Sequence, residues 1–326
     1  MMQDIDNQLP DFRDLHILVI GDVMIDRYIS GSVKRISPEA PVPVVAMEQI
    51  DNRLGGAANV ALNLCALGAK VTVLSIIGDD VEGDLLVRMM GEIPNLTFQY
   101  QTISGRKTTL KTRVMSNNQH LLRIDHEDTA DISNEQARSI VSICKSLIDS
   151  SAINGVILQD YNKGLLTSEN IQAIIELCNE HAIPTFVDPK EKNFFEYRNC
   201  TIFKPNKKEI LKALGLNVLD FDFIDQQLRL RLSHKITFIT LGSEGIYVND
   251  SHQAEKYSTT PRNIADVCGA GDTVISVLCL CYIKNVPLHQ IAKIANTAGG
   301  QVCEKPGVVS IDRKNLEDEL KTYTFK

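Results

Sequence analysis

No tryptophan occurs among the 326 residues, and aromatic residues make up only 6% of the chain. A basic run interleaved with aromatics, the pattern on which single-stranded nucleic acid stacks, is missing too. The formal net charge is -7, so no nucleic-acid partner is expected. Any anionic ligand has to meet local positive charge or backbone N–H groups. No apolar run is long enough to span a membrane, so no membrane partner is expected. Residues 1–14 are polar and acidic, which excludes a signal peptide as an expectation and favours the cytoplasm. The eight cysteines are scattered, with no C-x-x-C pair and no histidine placed to complete a zinc pattern. They read as small buried apolar residues in a reducing compartment. No G-x-G-x-x-G follows the first apolar strand, which argues against a nicotinamide-dependent dehydrogenase. Linkers, repeats and low-complexity stretches are absent as well.

What is present is an alternation of short apolar runs and helical patterns. His16–Gly21 reads as a buried first strand ending in a glycine turn. Residues 69–77, 155–158, 184–187, 201–203 and 235–241 read as further strands. Between them, 57–67, 134–148, 168–181 and 207–214 carry helical periodicity. This order predicts an α/β fold with a mostly parallel sheet wrapped by helices. Two regions, about 28–47 and 96–125, break the alternation and read as short strands without helices. We expect one domain over 1–326 with a small inserted β-sheet, serving as a lid or an interface.

The most informative stretch is Asp266-Val-Cys-Gly-Ala-Gly-Asp272-Thr273, followed by an almost wholly apolar helix. Gly269 and Gly271 flank Ala270 and allow a tight turn close to a ligand. A glycine loop feeding a buried helix leaves N–H groups unpaired where the helix dipole favours an anion. Asp272 in that turn suits a general base beside a transferring phosphoryl group. A helix N-cap is the structural alternative.

Other constellations are weaker alone. Leu54-Gly55-Gly56-Ala57-Ala58-Asn59 can approach a polyol, or form a turn with a capping Asn. Asp22 and Asp26 can accept from sugar hydroxyls. Lys204-Pro-Asn206-Lys-Lys-Glu209 spells a capping box, or organises hydrated Mg²⁺. Thr240-Leu-Gly242-Ser-Glu-Gly245 is a turn that leaves room for a nucleotide. Asp160-Tyr-Asn-Lys163-Gly and Asp188-Pro-Lys190 put charge at strand ends, where ligands of such sheets gather.

Taken in order, these motifs resemble the ribokinase-like (PfkB) carbohydrate kinases over essentially the whole chain. The resemblance implies a three-layer α/β/α sandwich with a small β-sheet lid that often makes a homodimer. It implies Asp272 as catalytic base and the Gly269–Ala270–Gly271–Asp272 backbone as anion hole. Asp26, Gly55, Gly56 and Asn59 then bind the sugar. Asn206 and Glu209 serve Mg²⁺ and phosphate, the metal through water. Thr240, Gly242, Gly245 and Asn296 lie along ATP. One departure is Val267-Cys268, where many members carry two threonines.

Arg35-Ile-Ser-Pro-Glu-Ala-Pro-Val-Pro-Val-Val45, Gly21–Tyr28, Leu122–Asp125 and Asp160–Gly164 look like the bacterial heptose-7-phosphate kinases of lipopolysaccharide core assembly. That resemblance implies ATP-dependent phosphorylation of O1 of D-glycero-β-D-manno-heptose 7-phosphate. Arg35, Lys111, Arg113, Arg123 and Lys190 are candidates for the distal phosphate, and Asp160 and Lys163 for the same substrate rim. No H-x-G-H nucleotidyltransferase motif occurs, so only the kinase step is expected and a separate adenylyltransferase is implied. The alternatives are a kinase for another sugar, sugar phosphate or nucleoside, and a non-catalytic binding protein of the same fold.

Overall fold

The computed structural model describes residues 9–117 and 119–322. The sequence expectation at the N-terminus concerns 1–14, of which 1–8 lie outside the described residues. The chain opens with β1 (His16–Gly21), β2 (Val23–Ile36), β3 (Pro43–Gly56) and α1 (Ala57–Ala66). Then come β4 (Lys70–Gly78), α2 (Val81–Gly91), β5 (Leu96–Ile103), β6 (Leu110–Ser116) and β7 (Gln119–His126). The middle holds α3 (Asn134–Ser150), β8 (Gly155–Gln159), α4 (Ser168–Glu180), β9 (Thr185–Asp188), β10 (Ile202–Phe203) and α5 (Lys207–Leu214). The rest is α6 (Phe221–Leu232), β11 (Ile236–Thr240), β12 (Ile246–Asn249), β13 (Ala254–Tyr257), α7 (Ala270–Ile283), α8 (Leu288–Cys303) and α9 (Arg313–Leu320).

Nine strands form one sheet in the order β13-β12-β11-β10-β9-β8-β1-β4-β5. From β5 to β11 neighbours run parallel, and only the β11–β12 and β12–β13 pairs are antiparallel. β1 is an interior strand, flanked by β8 and β4, and both of its faces are covered. Ile17 and Val19 enter one hydrophobic core, Leu18 and Ile20 the other. That is why the segment reads as a continuous apolar run. One core takes in α1, α2, α7, α8 and α9, the opposite one α3 to α6. The result is the expected three-layer sandwich.

A second sheet of four strands, β3-β2-β6-β7, stands apart. It corrects the expected lid boundaries. Residues 96–103 form β5, which pairs in parallel with β4 as an edge of the large sheet. The lid comes instead from β6 and β7 and from the whole of β2 and β3, which pair from Val23–Gly56 out to Ile36–Pro43. Short apolar strands without an intervening helix do not reveal which sheet they join, because both environments accept the same alternation.

α7 is buried on every side, from Thr273 to Cys281. Hydrogen bonds fix it against α1: Thr273 Oγ1 donates to Asn63 Oδ1 at 3.0 Å, and Ser276 Oγ donates to the Val60 carbonyl at 3.2 Å. All eight cysteines are free thiols, and six are buried. Because Leu278 is fully buried in this helix, Leu278→Ala should cost about 2–5 kcal/mol, read by urea unfolding. A loss under about 1 kcal/mol would mean that the α7 core repacks freely.

Candidate active site

The start of α7 is the centre of the site. Gly269 is the helix N-cap with φ 81°, a left-handed conformation that suits glycine. A Cβ there would also lie 2.9 Å from Asn59 Nδ2. Asp272 sits in the first turn but makes no capping bond to it. Its side chain instead faces α1 and the end of β8. Oδ2 accepts from Asn59 Nδ2 at 2.8 Å. Oδ1 accepts from the Tyr161 hydroxyl at 2.7 Å and from Gln159 Nε2 at 3.3 Å. Of the two sequence readings for Asp272, the capping one is thereby excluded. Asn59 is likewise no cap: it is buried within α1 and its amide is aimed at Asp272. Burial pushes the Asp272 carboxyl up to about 6, against the pull of the Asn59 and Tyr161 donors.

Asp26 lies on β2 where the lid joins the body. It is buried and forms an ion pair with Arg113 of β6. Gly55 is required beside it, since a Cβ would come 2.1 Å from Asp26 Oδ2. Gly56, with φ 59°, ends β3 and turns the chain into α1. Asp22 has a different part. Its carboxylate accepts from the backbone N–H groups of Tyr161 (2.9 Å), Lys163 (3.0 Å) and Leu165 (3.4 Å). It therefore shapes the loop after β8.

That loop corrects one expectation. Asp160 is 1% exposed, and its two oxygens accept from Tyr197 Oη and the Asn162 N–H, each at 2.7 Å. It braces the turn and is not presented to a sugar. Burial, with Asp22 nearby, raises its carboxyl to about 6. Lys163 pairs with Glu127 at 2.7 Å. Lys190 pairs with Glu209 and lies 3.9 Å from Asp188. Buried Lys204 reaches Asp188 Oδ2 at 3.0 Å. Lys111 of β6 differs: among the described residues no carboxylate lies within ion-pair distance of it. Its ammonium stands 5.8 Å from the centre of the Tyr161 ring. Burial first, and then Lys163, lower its pKa.

At the other end, Asn206 and Glu209 form the complete capping box of α5, with bonds of 3.0 and 2.8 Å. Thr240 ends β11 and bridges to Asn206. Gly242 and Gly245 have positive φ in the turn that follows. Asn296 of α8 donates to the Tyr257 carbonyl at 2.9 Å. Among the described residues, no three His, Cys, Asp or Glu side chains gather to hold a metal. Glu209 spends one oxygen on the Asn206 N–H and the other on Lys190. The fit for Mg²⁺ at this corner is therefore through water rather than direct ligation.

The model of the "pfkB family carbohydrate kinase" matches residues 14–315. The chain belongs to the pfkB family of carbohydrate kinases. A "Bifunctional protein HldE" of Methylobacillus flagellatus is 40% identical over 310 residues, covering 94% of this chain and 63% of that protein. One of Desulfatibacillum aliphaticivorans is 38% identical over 314 residues, covering 95% and 64%. The chain thus spans less than two thirds of the length of these curated relatives. Among solved structures, phosphofructokinase-2 from Escherichia coli with fructose-6-phosphate superposes with a TM-score of 0.75 at 17% identity, covering 94% of this chain and 99% of that one. Arabidopsis thaliana ribokinase with ribose and ATP superposes at 0.72 and 16% identity, covering 94% and 99%. These structures share the fold, as expected for a pfkB kinase.

Of the residues expected from sequence, this kinase brings Gly269, Ala270, Gly271, Asp272 and Asn59 directly together. Asp26, Gly55, Gly56 and Arg113 form a second group at the lid junction. Arg35 is not brought in: it is exposed on β2, nine residues beyond Asp26, about 30 Å along the strand. Arg123 lies opposite Arg113, but its guanidinium turns out to Asp125 at 2.9 Å. Tyr161, Gln159 and Lys204 were missed as site residues. Their sequence signal is only a polar residue at the end of an apolar strand, which any surface turn would also show.

Asp272 should titrate near pH 6, read by ¹³C NMR of labelled aspartate carboxyls. Its folded value lies above the unfolded 3.8, so the fold holds this proton more tightly. That contribution to stability is complete below about 3.8 and is lost as pH rises through about 6. A midpoint at the ordinary carboxylate value would contradict the buried placement.

Proposed function

We propose that this carbohydrate kinase transfers the γ-phosphoryl group of ATP to O1 of D-glycero-β-D-manno-heptose 7-phosphate, giving the 1,7-bisphosphate. The observation that carries the chemistry is the buried Asp272 carboxylate at the start of α7, oriented by Asn59 and Tyr161. Asp272 takes the proton of the anomeric hydroxyl as O1 attacks phosphorus in line. The bond from phosphorus to the bridging oxygen breaks, and ADP leaves with that electron pair. Backbone N–H groups of Gly269–Asp272 hold charge on the transferring group. Mg²⁺, when bound with ATP, would neutralise phosphate charge, with Asn206 and Glu209 ordering its waters. ATP would run from this turn toward Thr240, Gly242, Gly245 and Asn296. Closure of the lid would keep water from the γ-phosphate.

The choice of sugar rests on the sequence segments shared with heptose-7-phosphate kinases and on the HldE relatives. Lys111 gives it a physical basis. A half-buried ammonium with no carboxylate partner is costly until an anion arrives. Lys111, with Lys163 and Arg113 beside it, is therefore our candidate for the distal phosphate. Asp26, Gly55 and Asn59 would line the sugar between that anion and Asp272. We place the reaction in the cytoplasm, where ATP is supplied. Among the described residues no helix is long and apolar enough to cross a membrane.

A kinetic panel tests this reading. Heptose 7-phosphate should be preferred over unphosphorylated heptose, fructose 6-phosphate and adenosine. Asp272→Asn should lower kcat by about 10²–10⁴-fold while ATP still binds. Lys111→Met should raise KM for heptose 7-phosphate by about 10–100-fold, the worth of a charged hydrogen bond, and leave unphosphorylated heptose little changed. Equal turnover of both heptoses would remove the phosphate pocket. Preference for fructose 6-phosphate or adenosine would move the kinase to another substrate.

The lid also suggests a homodimer. Ile36, Met47, Ile50, Leu122 and Ile124 are all exposed on the four-stranded sheet. An apolar sheet face of this kind calls for cover, and a second copy offers the same face. Light scattering at micromolar concentration should give a dimer that Leu122→Lys dissociates. A monomer in the unsubstituted protein would refute this assembly.

A further inference from the structure

We infer that Tyr161 is a positioning residue for the transfer: its hydroxyl holds the Asp272 carboxylate in the orientation from which it takes the substrate proton. This rests on the reading of Asp272 as general base. The hydroxyl lies 2.7 Å from Asp272 Oδ1, and among the described residues no shorter hydrogen bond reaches that carboxylate. The tyrosine is itself held from three directions. Its backbone N–H donates to the buried Asp22 carboxylate at 2.9 Å. The ammonium groups of Lys111 and Lys190 stand 5.8 and 5.2 Å from its ring centre. Burial first, and then Asp272, push its own pKa well above the usual tyrosine value, so it stays protonated and can only donate to the carboxylate.

Every element around Asp272 adds a group. Asn59 of α1 and Gln159 of β8 are neutral donors. Asp188 of β9 opposes ionisation, and Lys204, just past β10, favours it. Lys190 also feels the Asp272 charge. Removing only the Tyr161 hydroxyl leaves all of these in place and deletes one donor that favours the charged form. Asp272 must then titrate higher.

The test is Tyr161→Phe, which keeps the ring between its lysines. In the protein without substrate, the ¹³C-carboxyl midpoint of Asp272 should rise by about one pH unit, the worth of one charged hydrogen bond. The acid limb of kcat/KM with heptose 7-phosphate should move the same way. Tyr197→Phe serves as the control. Tyr197 is a buried tyrosine that donates to Asp160, so its loss should leave the Asp272 midpoint in place. An unchanged or lowered midpoint in Tyr161→Phe overturns the inference, as does an equal rise in Tyr197→Phe. The carboxyl titration needs no sugar, so a wrong substrate assignment does not change its outcome. If Asp272→Asn keeps its turnover, the base reading falls, and the titration still decides whether Tyr161 holds the carboxylate.

Discussion

A carboxylate buried at the first turn of α7 is an unfavourable arrangement, and much of the structure exists to make it tolerable. Burial alone would keep Asp272 protonated. Asn59, Tyr161 and Gln159 offset that by donating to it, from two distant parts of the chain. Asn59 is carried by α1, which is tied to α7 through Asn63 and Ser276. Gln159 and Tyr161 sit at the end of β8, which pairs with β1 in the interior of the sheet. Displacement of either helix, or of the central strands, would separate the donors from the acid they serve. The balance leaves a group poised near neutral pH, where a general base is effective.

The same logic extends across the strand ends. Glu209, Lys190, Asp188 and Lys204 form a continuous row of ion pairs from the α5 capping box to the start of α7. Such buried charges are expensive to desolvate, and removing one partner strands the other. The row therefore fixes geometry more than it adds stability. It links the corner where we place the nucleotide to the carboxylate that we take as base. Glu209 completes the helix cap read from sequence; in the proposed function it would also order water around a metal.

The lid reflects a different constraint. β2 and β3 are each 14 residues long, far more than one core can cover. Their inner ends carry Asp26, Gly55 and Gly56 and are buried. Their outer ends carry Arg35, Ile36 and Met47 and are exposed. One pair of strands thereby joins a sugar-binding candidate to an apolar surface suited to a second copy. Substrate closure and assembly would then act on the same ribbon.

Much of the architecture was legible in the residues. β1 is apolar throughout because it is buried on both faces, and α7 because it is buried all round. Local chemistry of this kind needs no partner to be recognised. The same holds for the Gly269–Asp272 turn and for the Asn206–Glu209 box, whose spacing is a property of one helix start. What the sequence could not determine was which distant groups would meet. Whether 96–103 joined the lid or the large sheet depended on pairing with β4, and strand propensity is indifferent to that choice. Asp160 and Tyr161 are neighbours, yet the first turns into the core to Tyr197 and the second toward Asp272. Arg113 and Arg123 face each other in register, yet only Arg113 found a buried carboxylate. Only the packing of strands and helices brings Asp272 within reach of Asn59 and Tyr161, which lie 213 and 111 residues away in the chain.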